Sequence, residues 1–212
     1  MTKTWEPMPK IVDHETRRRH IADAVHRVID AKGMHSVSLR EVAAEAGMSM
    51  GAVQHYFATK DEMLTLALQH LNTRITARVA AAAHDGTPFG LLRVALLELL
   101  PLDEERRFEA RVGLAFLARS VVSEPLAALL RAGLPIVLDF YAGQLRAAQA
   151  AGQVAADVDA AKEADMLFAL AQGLVNPVLI GHYTAADAEA IVDHQLGRLF
   201  GRRQPYRPGK TS

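Results

Sequence analysis

The chain has 212 residues, half of them hydrophobic, with 24 basic and 24 acidic residues that give a formal net charge of zero. A chain of this length buries enough apolar surface to fold without disulfide bonds or a structural metal ion. The lack of cysteine excludes a disulfide framework and thiol chemistry. Zero net charge excludes a protein coated in positive charge, so a surface that binds nucleic acid must be a local patch.

The N-terminal segment predicts a basic arm and then a first helix. Residues 1–12 hold two lysines and two prolines, and we expect a flexible arm that ends at Asp13, a possible helix N-cap. The apolar residues that recur at helical spacing are Ile21, Ala24, Val25, Val28 and Ile29. Lys32 and Gly33 end this helix. The arginine run at 17–19 can contact phosphates or simply form a solvated face.

Residues 38–57 predict two short helices joined by a tight turn. Ser38 can cap the first helix, with Glu41 completing a capping box. Gly47 can take the left-handed conformation that ends this helix, and Ser49 can cap the second. The pattern is typical of a helix-turn-helix, although an ordinary helical hairpin has the same order of helix, glycine and helix.

The second short helix turns a small and polar face outward. Val53 and Phe57 lie four residues apart and are expected to face inward. The outward residues are Met50, Gly51, Ala52, Gln54, His55 and Tyr56. Small residues let a helix N-terminus approach a phosphate backbone, and polar residues one turn later can reach base edges in the major groove. Gln54 can pair with adenine through two hydrogen bonds, and Met50 and Ala52 can contact thymine methyl groups.

A long amphipathic helix and a clear break follow. Thr59 can cap this helix, with Glu62 completing a capping box, and an apolar stripe runs along it. Residues 85–88, Asp-Gly-Thr-Pro, are typical of a loop. We therefore place a helix-turn-helix domain with its connecting helix at residues 13–84 and a second helical domain at residues 85–200.

The remainder is also predicted to be helical, so the fold class is all-α. Helices are expected at residues 89–100, 103–122, 124–152, 159–181 and 184–200. Within the third, we expect a kink or a break at Gly133–Pro135, because proline removes a backbone donor and clashes with the preceding turn. Residues 201–212 are basic and contain proline, which predicts a disordered tail.

A specific pattern is spread over the N-terminal half. It comprises Ile21–Ala24, Gly33, Val37–Ser49, Gly51, Tyr56–Phe57 and Lys60–Leu64. In these residues the chain resembles the DNA-binding domain of the TetR family of transcriptional regulators. The resemblance implies that Ser38, Arg40, Tyr56 and Lys60, with the helix N-terminus at Ser49, hold the DNA backbone. It also implies that His55 reads bases. Gln54 stands where the family usually has a tyrosine that contacts the backbone, a contact that Tyr56 can supply instead.

The C-terminal half is similar to the family branch that includes choline- and betaine-aldehyde-responsive repressors, in Leu102–Arg106, Ala147–Ala156 and Gln172–Leu174. This resemblance implies an effector pocket and a dimer, but not the identity of the effector. A small molecule bound among the helices of residues 89–181 is expected to tilt the reading helices through the long connecting helix and release the DNA. The pocket candidates, aromatic or polar groups on or beside apolar faces, are Phe108, Arg111, Phe116, Tyr141, Gln144, Gln172 and Asn176.

A homodimer is expected, because one short reading helix makes too few contacts for operator affinity whereas two copies read a palindrome. The last two helices carry apolar stripes that can form a four-helix interface with a second copy. These stripes are Leu167, Leu170, Ala171, Leu174 and Val178, and on the final helix Ala188, Ile191, Val192, Gln195, Leu196 and Leu199. Either stripe can also be ordinary core.

Patterns of enzymes and metal sites are missing. His14, His20 and His26 are not spaced to share a helix face, and no His-Glu-x-x-His, Gly-x-Ser-x-Gly or phosphate-binding glycine loop occurs. We therefore expect no catalysis, metal or cofactor. With no signal segment and no uninterrupted apolar run of about 18 residues, we expect a cytoplasmic protein without a membrane partner. The alternative to a DNA-binding regulator is a helical small-molecule-binding or scaffold protein with a vestigial helix-turn-helix.

Overall fold

The computed structural model describes residues 9–201, which are helical without a strand. The elements are α1 Pro9–Lys32, a 3₁₀ helix Met34–Ser36, α2 Leu39–Glu45, α3 Met50–Tyr56, α4 Lys60–Ala81, α5 Pro88–Glu98, α6 Glu104–Ser120, α7 Glu124–Ala150, α8 Ala160–Leu179 and α9 Ala185–Leu199. The all-α prediction is confirmed. Residues 1–8 and 202–212, which include most of the predicted arm and tail, lie outside the described residues.

Helix α1 begins earlier than the sequence predicted. Pro9 is its first residue, so Asp13 lies inside the helix and does not cap it. Proline is favoured at the first helical position, because its fixed φ suits the helix and no helical hydrogen bond needs its missing N–H there. Residues 9–12 therefore belong to α1 and not to a flexible arm.

Side-chain caps start most of the later helices where the sequence predicted them. The side chains that accept a hydrogen bond from a backbone N–H of the first turn are Ser38, Ser49, Thr59, Thr87, Asp103, Asp159 and Thr184. The box expected at Ser38 is half formed, because the carboxylate of Glu41 accepts a hydrogen bond from Lys32 at 3.0 Å instead. At the start of α4, the carboxylate of Glu62 accepts from the N–H of Ala58 at 2.9 Å.

Helix α7 continues through Pro135, so of the kink or break expected there the break does not occur. Pro135 and Arg131 are both exposed, which lets the carbonyl that loses its helical donor turn to solvent. The first half of α7 is apolar and open, with Ile136 72% exposed. By length and composition alone α7 is able to cross a membrane, with a mean hydropathy of 1.4 over an 18-residue stretch that is 17% buried. Core helices of soluble proteins can have the same length and composition.

Two clusters of buried side chains hold the helices together. The first joins α1 to α4 and also takes in Val112 and Phe116 of α6 and Leu126 of α7. The second joins α5, α7, α8 and α9, and Val79 near the end of α4 packs against it. Helix α6 and the start of α7 follow the predicted boundary at residue 85, yet they pack on the N-terminal half. Both α4 and α6 therefore connect the two cores.

His26 binds three helices to one another in the first core. It is 1% exposed, and its Nε2 donates a hydrogen bond to the carbonyl of Ala67 in α4 at 2.9 Å. Its ring stacks on His70 at 5.9 Å and meets Phe116 of α6 edge-on at 6.4 Å. Its Nδ1 is buried without a partner. Burial lowers the pKa of His26 to about 4, because the charged ring loses its hydration and gains no second acceptor.

We expect the free energy of unfolding to decrease as the pH falls from 6.5 to 4. The folded-state pKa of His26 lies below its ordinary value of 6.5, so the unfolded chain binds more protons in this range. The contribution is present above pH 6.5 and is lost as the pH falls toward 4, with roughly 2 kcal/mol lost at pH 5. Urea unfolding at each pH measures this loss. Glutamine in His26→Gln keeps a donor for the carbonyl of Ala67 but takes up no proton. The free energy of unfolding of this variant therefore falls by roughly 2 kcal/mol less over the same pH range.

The matched control is His35→Gln, because His35 is exposed and its loss leaves the buried ring in place. A His26→Gln profile as steep as that of the parent protein would contradict this account of the pH dependence.

Candidate nucleic-acid interface

A glycine turn sets the angle between α2 and α3. Gly47 has a φ of 63°, in the left-handed region that glycine adopts without strain. The N–H of Met48 then donates to the carbonyl of Ala43 at 2.9 Å, which satisfies the end of α2 inside the turn. Ser49 starts α3 by accepting a hydrogen bond from the N–H of Ala52 at 3.1 Å. The helix-turn-helix predicted from the sequence is present.

Buried side chains and α1 hold α3 in place. Val53 and Phe57 are buried, as predicted, and the guanidinium of Arg18 lies over the Phe57 ring at 5.0 Å. His20 of α1 donates from Nε2 to the carbonyl of Ala46 at the end of α2, at 2.9 Å. The middle arginine of the basic run therefore serves packing. Because both short helices are tied to α1, they form one rigid unit with it.

The opposite face of α3 is open to solvent. Met50, Gly51, Gln54 and His55 are exposed, and Ala52 and Tyr56 are half-buried. The ring of Tyr56 contacts two imidazoles, with centroid distances of 5.4 Å to His55 and 4.8 Å to His14 in α1. A Cβ added at Gly51 would meet no atom within 4 Å, so this face allows a close approach. The amide, imidazole and phenol groups offer the donors and acceptors that base edges and phosphates need.

His14 is a member of this surface that the sequence did not predict. It lies on α1, and its contact with Tyr56 joins two positions far apart in the chain. Helical spacing within one segment carries no signal for such a contact, which exists only once α1 packs against α3.

Hydrogen-bonding and positive groups stand at the starts of α2, α3 and α4. Helices α2, α3 and α4 begin at hydroxyl caps, Ser38, Ser49 and Thr59. Arg40 is exposed in the first turn of α2, and Lys60 is half-buried as the first residue of α4. Backbone N–H groups and the positive end of a helix dipole attract anions at such N-termini. These helix starts are therefore suited to contacts with phosphates.

The effector candidates of α6 lie against the N-terminal half. Phe116 is buried in the first core, and Phe108 packs against that core. The guanidinium of Arg111 is exposed and donates to both carboxylate oxygens of Asp30 in α1, at 2.5 and 3.2 Å. Phe108 and Phe116 lie on the inner side of α6, which packs on α1 and α4, whereas Arg111 lies on an exposed side. They do not face the second core.

The other effector candidates lie on two different surfaces. Tyr141 is buried in the second core, and Gln144 is half-buried one turn farther along α7. Gln172 and Asn176 are exposed on the outer side of α8. The predicted set therefore does not form one pocket, and Tyr141 is the member of it that lies in the second core.

The apolar stripes expected to pair in a dimer are largely core. The stripe members that are buried within one chain are Leu167, Ala171, Leu174, Val178, Ala188, Val192 and Leu196. The outer side of α8 shows instead Met166, Ala169, Gln172, Gly173, Asn176 and Ile180. We call this set the outer α8 face. The stripes were assigned by apolar character, which marks the side that enters the chain's own core.

A groove between α8 and α9 continues the outer α8 face. Its volume is about 340 Å³, and its apolar lining includes Met166, Leu170, Ile191 and Leu199. Glu163 also lines it, with one carboxylate oxygen, Oε2, buried and without a hydrogen-bond partner. A buried carboxylate oxygen calls for a donor, and the groove side chains of its own chain do not supply one.

The histidines do not gather into a metal site. Within the part of the chain that the structure describes, no group of three or more His, Asp or Glu side chains is placed to hold a metal ion. His26 and His70 stack, but the Nε2 atom of His26 bonds to the carbonyl of Ala67 and that of His70 to the carboxylate of Asp23.

Sequence families match both halves of the chain. Residues 21–67 match the family described as bacterial regulatory proteins, tetR family. Residues 88–201 match the family described as BetI-type transcriptional repressor, C-terminal. The second match alone covers more than half of the chain.

Individual relatives agree with these families. The transcriptional regulator PksA of Bacillus subtilis is 44% identical over 112 residues, which are 52% of this chain and 55% of PksA. The regulator BetI of Burkholderia thailandensis is 41% identical over 81 residues, 37% of this chain and 42% of BetI. The chain thus spans about half the length of the curated relatives that it matches.

Solved structures extend the likeness over the whole fold. A transcriptional regulator from Rhodococcus sp. RHA1 is 33% identical with a TM-score of 0.78, covering 89% of this chain and 99% of that one. A regulator from Saccharomonospora viridis, solved in complex with choline, is 25% identical with a TM-score of 0.73, covering 84% and 94%.

Proposed function

The chain belongs to the TetR family of transcriptional regulators, and we propose that it is a cytoplasmic repressor that binds a palindromic operator as a homodimer and is released by a small-molecule effector. The open face of α3, with Gln54 and His55 exposed above buried Val53 and Phe57, is the observation that carries this proposal. The alternative, a scaffold protein with a vestigial helix-turn-helix, does not account for an exposed polar face on α3 with positive groups in the neighbouring helices. The matched families consist of transcriptional regulators, which are not enzymes.

Contacts with the DNA backbone position the protein. We assign them to Ser38, Arg40, Tyr56 and Lys60, and to the α3 N-terminus at Ser49. Lys60 stands in the first turn of α4, where its charge adds to the helix dipole. The ring of Tyr56 contacts those of His14 and His55, and these contacts restrict its orientation beside the reading helix. Such contacts supply affinity that weakens with salt and carry no sequence information.

Contacts with base edges supply specificity. Gln54 and His55 are exposed near the end of α3, and Met50, Gly51 and Ala52 form its small N-terminal part. Glutamine can bond adenine at two positions, histidine is less selective, and the apolar groups can meet thymine methyls. His55 is the stronger candidate, since the family position that it occupies is often a base contact.

Paired variants test the two roles on an operator selected from a random DNA library with the unaltered protein. Lys60→Ala is expected to weaken binding about uniformly across sequences and to reduce the salt slope by about one, because one phosphate contact is lost. His55→Ala is expected to redistribute sequence preference at the contacted base pairs, at about 1–3 kcal/mol each. Fluorescence anisotropy between low and high salt measures both effects.

Arg146→Ala controls for the loss of one positive surface charge, because Arg146 is exposed on α7, outside the helix-turn-helix. If Lys60→Ala leaves both affinity and salt slope unchanged, its backbone role is wrong. If His55→Ala weakens every sequence equally, His55 touches the backbone and does not read bases. If the unaltered protein selects no operator, the repressor proposal itself fails.

We assign the dimer interface to the outer α8 face and the α8–α9 groove. Ala169 and Gly173 are small, which lets the α8 helices of two copies approach closely, while Met166 and Ile180 are apolar side chains left exposed by one chain. The unpartnered Oε2 of Glu163 can accept a hydrogen bond from a donor of the second copy. Gln172 and Asn176, predicted in the effector pocket, belong in this arrangement to the interface.

Gly173→Arg is expected to produce a monomer. A Cβ at Gly173 meets no atom within 4 Å, so the single chain tolerates the change, whereas two facing arginines cannot pack in a close helix pair. Light scattering at micromolar concentration gives the mass, and circular dichroism confirms an unchanged helix content. Ala118→Arg, at an exposed position of α6, serves as the control and stays a dimer. A dimeric Gly173→Arg protein would move the interface elsewhere.

We place the effector beside Tyr141 in the second core. Tyr141 is 1% exposed, and burial raises the pKa of its hydroxyl with no hydrogen bond acting against that shift. A ligand group that accepts a hydrogen bond from this hydroxyl offsets the cost of burying it, so a bound effector accounts for its retention in an apolar core. Gln144 lies one helical turn away, and the ring of Phe140 lies 6.0 Å from that of Tyr141. This lining favours a small, largely apolar effector with one polar group.

A screen for the effector starts with choline, the ligand in the Saccharomonospora viridis structure, and continues with small apolar metabolites. A true effector raises the melting temperature and weakens operator binding, since the two effects are linked. Tyr141→Phe is expected to lower the affinity for the effector about tenfold, because one buried hydrogen bond is lost. Tyr183→Phe, at a half-buried tyrosine after α8, is the control. A compound that stabilises the protein but never changes operator affinity would contradict the proposed switch.

A further inference from the structure

Three charged or titratable side chains line one side of α4. His70, Arg74 and Arg78 are spaced four residues apart, so they share a helix face. At the proximal end, the carboxylate of Asp23 in α1 lies 3.0 Å from His70 Nε2 and 3.7 Å from Arg74 Nη1. This end of the row is therefore tied to the unit that carries α3.

At the distal end the same row is tied to α5 and α6. Arg78 donates from Nε to Glu98 of α5 at 2.9 Å and from both terminal nitrogens to the two carboxylate oxygens of Glu109 in α6. Arg74 reaches Glu109 from Nε at 3.2 Å and Glu105 from Nη2 at 2.6 Å. Glu109 thus receives both arginines of α4.

The environment makes Glu109 the central member of the cluster. The side chain of Glu109 is 4% exposed. That of Glu105 is 56% exposed, so water weakens its ion pair with Arg74. The hydrogen bonds that Arg78 donates to Glu109 raise the pKa of Arg78 above its ordinary range, so the guanidinium stays charged. A buried ion pair adds little net stability over an apolar one, but a two-pronged arginine bond fixes distance and angle. What this pair contributes is a defined geometry between α4 and α6.

We propose that Glu109 is a positioning residue that transmits the state of the effector half to α4, and through Asp23 to the unit that carries the reading helix. The inference rests on the proposed repressor function and adds the route by which it is regulated. Movement of α5 or α6 changes which arginine bonds Glu109 keeps, and a discrete exchange of bonds turns a small displacement into a shift of α4. The exposed Arg111–Asp30 pair is a second link between α6 and α1, but it bypasses α4.

The test measures transmission in the reverse direction, which needs no effector. Coupling is reciprocal, so saturating operator DNA is expected to slow amide hydrogen exchange in α5 and α6 by roughly threefold in the unaltered protein. In Glu109→Gln the protection is expected to stay within α1 to α4. The control, Glu104→Gln, removes the same charge from an exposed position of α6. Operator DNA is expected to protect α5 and α6 in this variant as much as in the unaltered protein.

Arg78→Lys is the second variant, because lysine keeps the charge but not the two-pronged bond. It is expected to lose transmission while folding normally, and it decides the question if Glu109→Gln does not fold. The proposal is supported if a variant retains its melting transition but loses the operator-induced protection in α5 and α6. Unchanged protection in either folded variant overturns it, as does the absence of protection in the unaltered protein. Failure of the unaltered protein to bind any operator is the separate failure of the repressor proposal.

Discussion

One helix has to satisfy two unlike surroundings, and the rest of the structure depends on how α4 does so. Its first half sends Met63, Leu64 and Leu68 into the first core, where apolar contacts set how deeply the helix lies but not its angle. Its second half is held by directional bonds between Arg78 and the carboxylates of Glu98 and Glu109. The apolar part carries the DNA-binding unit along with the helix, and the charged part defines where that unit points.

The DNA-binding half could be predicted in detail from the sequence, because its information is local. Caps at Ser38 and Ser49 and a glycine at 47 define the helices, and the spacing of Val53 and Phe57 defines which side of α3 is buried. These features act within a few residues of one another, so helical geometry alone relates them. The contact of Tyr56 with α1 was beyond reach, because it depends on how two helices pack.

In the C-terminal half the sequence predicted helices but not their neighbours. Phe116 was correctly seen as facing inward, yet the partner of α6 is the N-terminal core. Arg111 looked free to meet a ligand, but Asp30, far away in the chain, binds it. Glu109 drew no attention, because a glutamate in an amphipathic helix ordinarily faces water and only assembly shows the two arginines that make its burial possible. Apolar periodicity reveals the buried side of a helix, whereas tertiary packing chooses what covers it.

The empty space around Gly51 bears on how such regulators diversify. A larger side chain there meets nothing in the protein, and replacing glycine inside a helix favours folding through helix propensity. Selection on the fold therefore leaves this position unconstrained, and only the duplex that the helix enters can oppose a change. After gene duplication, a copy can lose its ancestral target in one step while keeping its effector response, which frees it to acquire another. The same property makes position 51 a natural starting point for sets of repressors that share a signal and ignore one another's promoters.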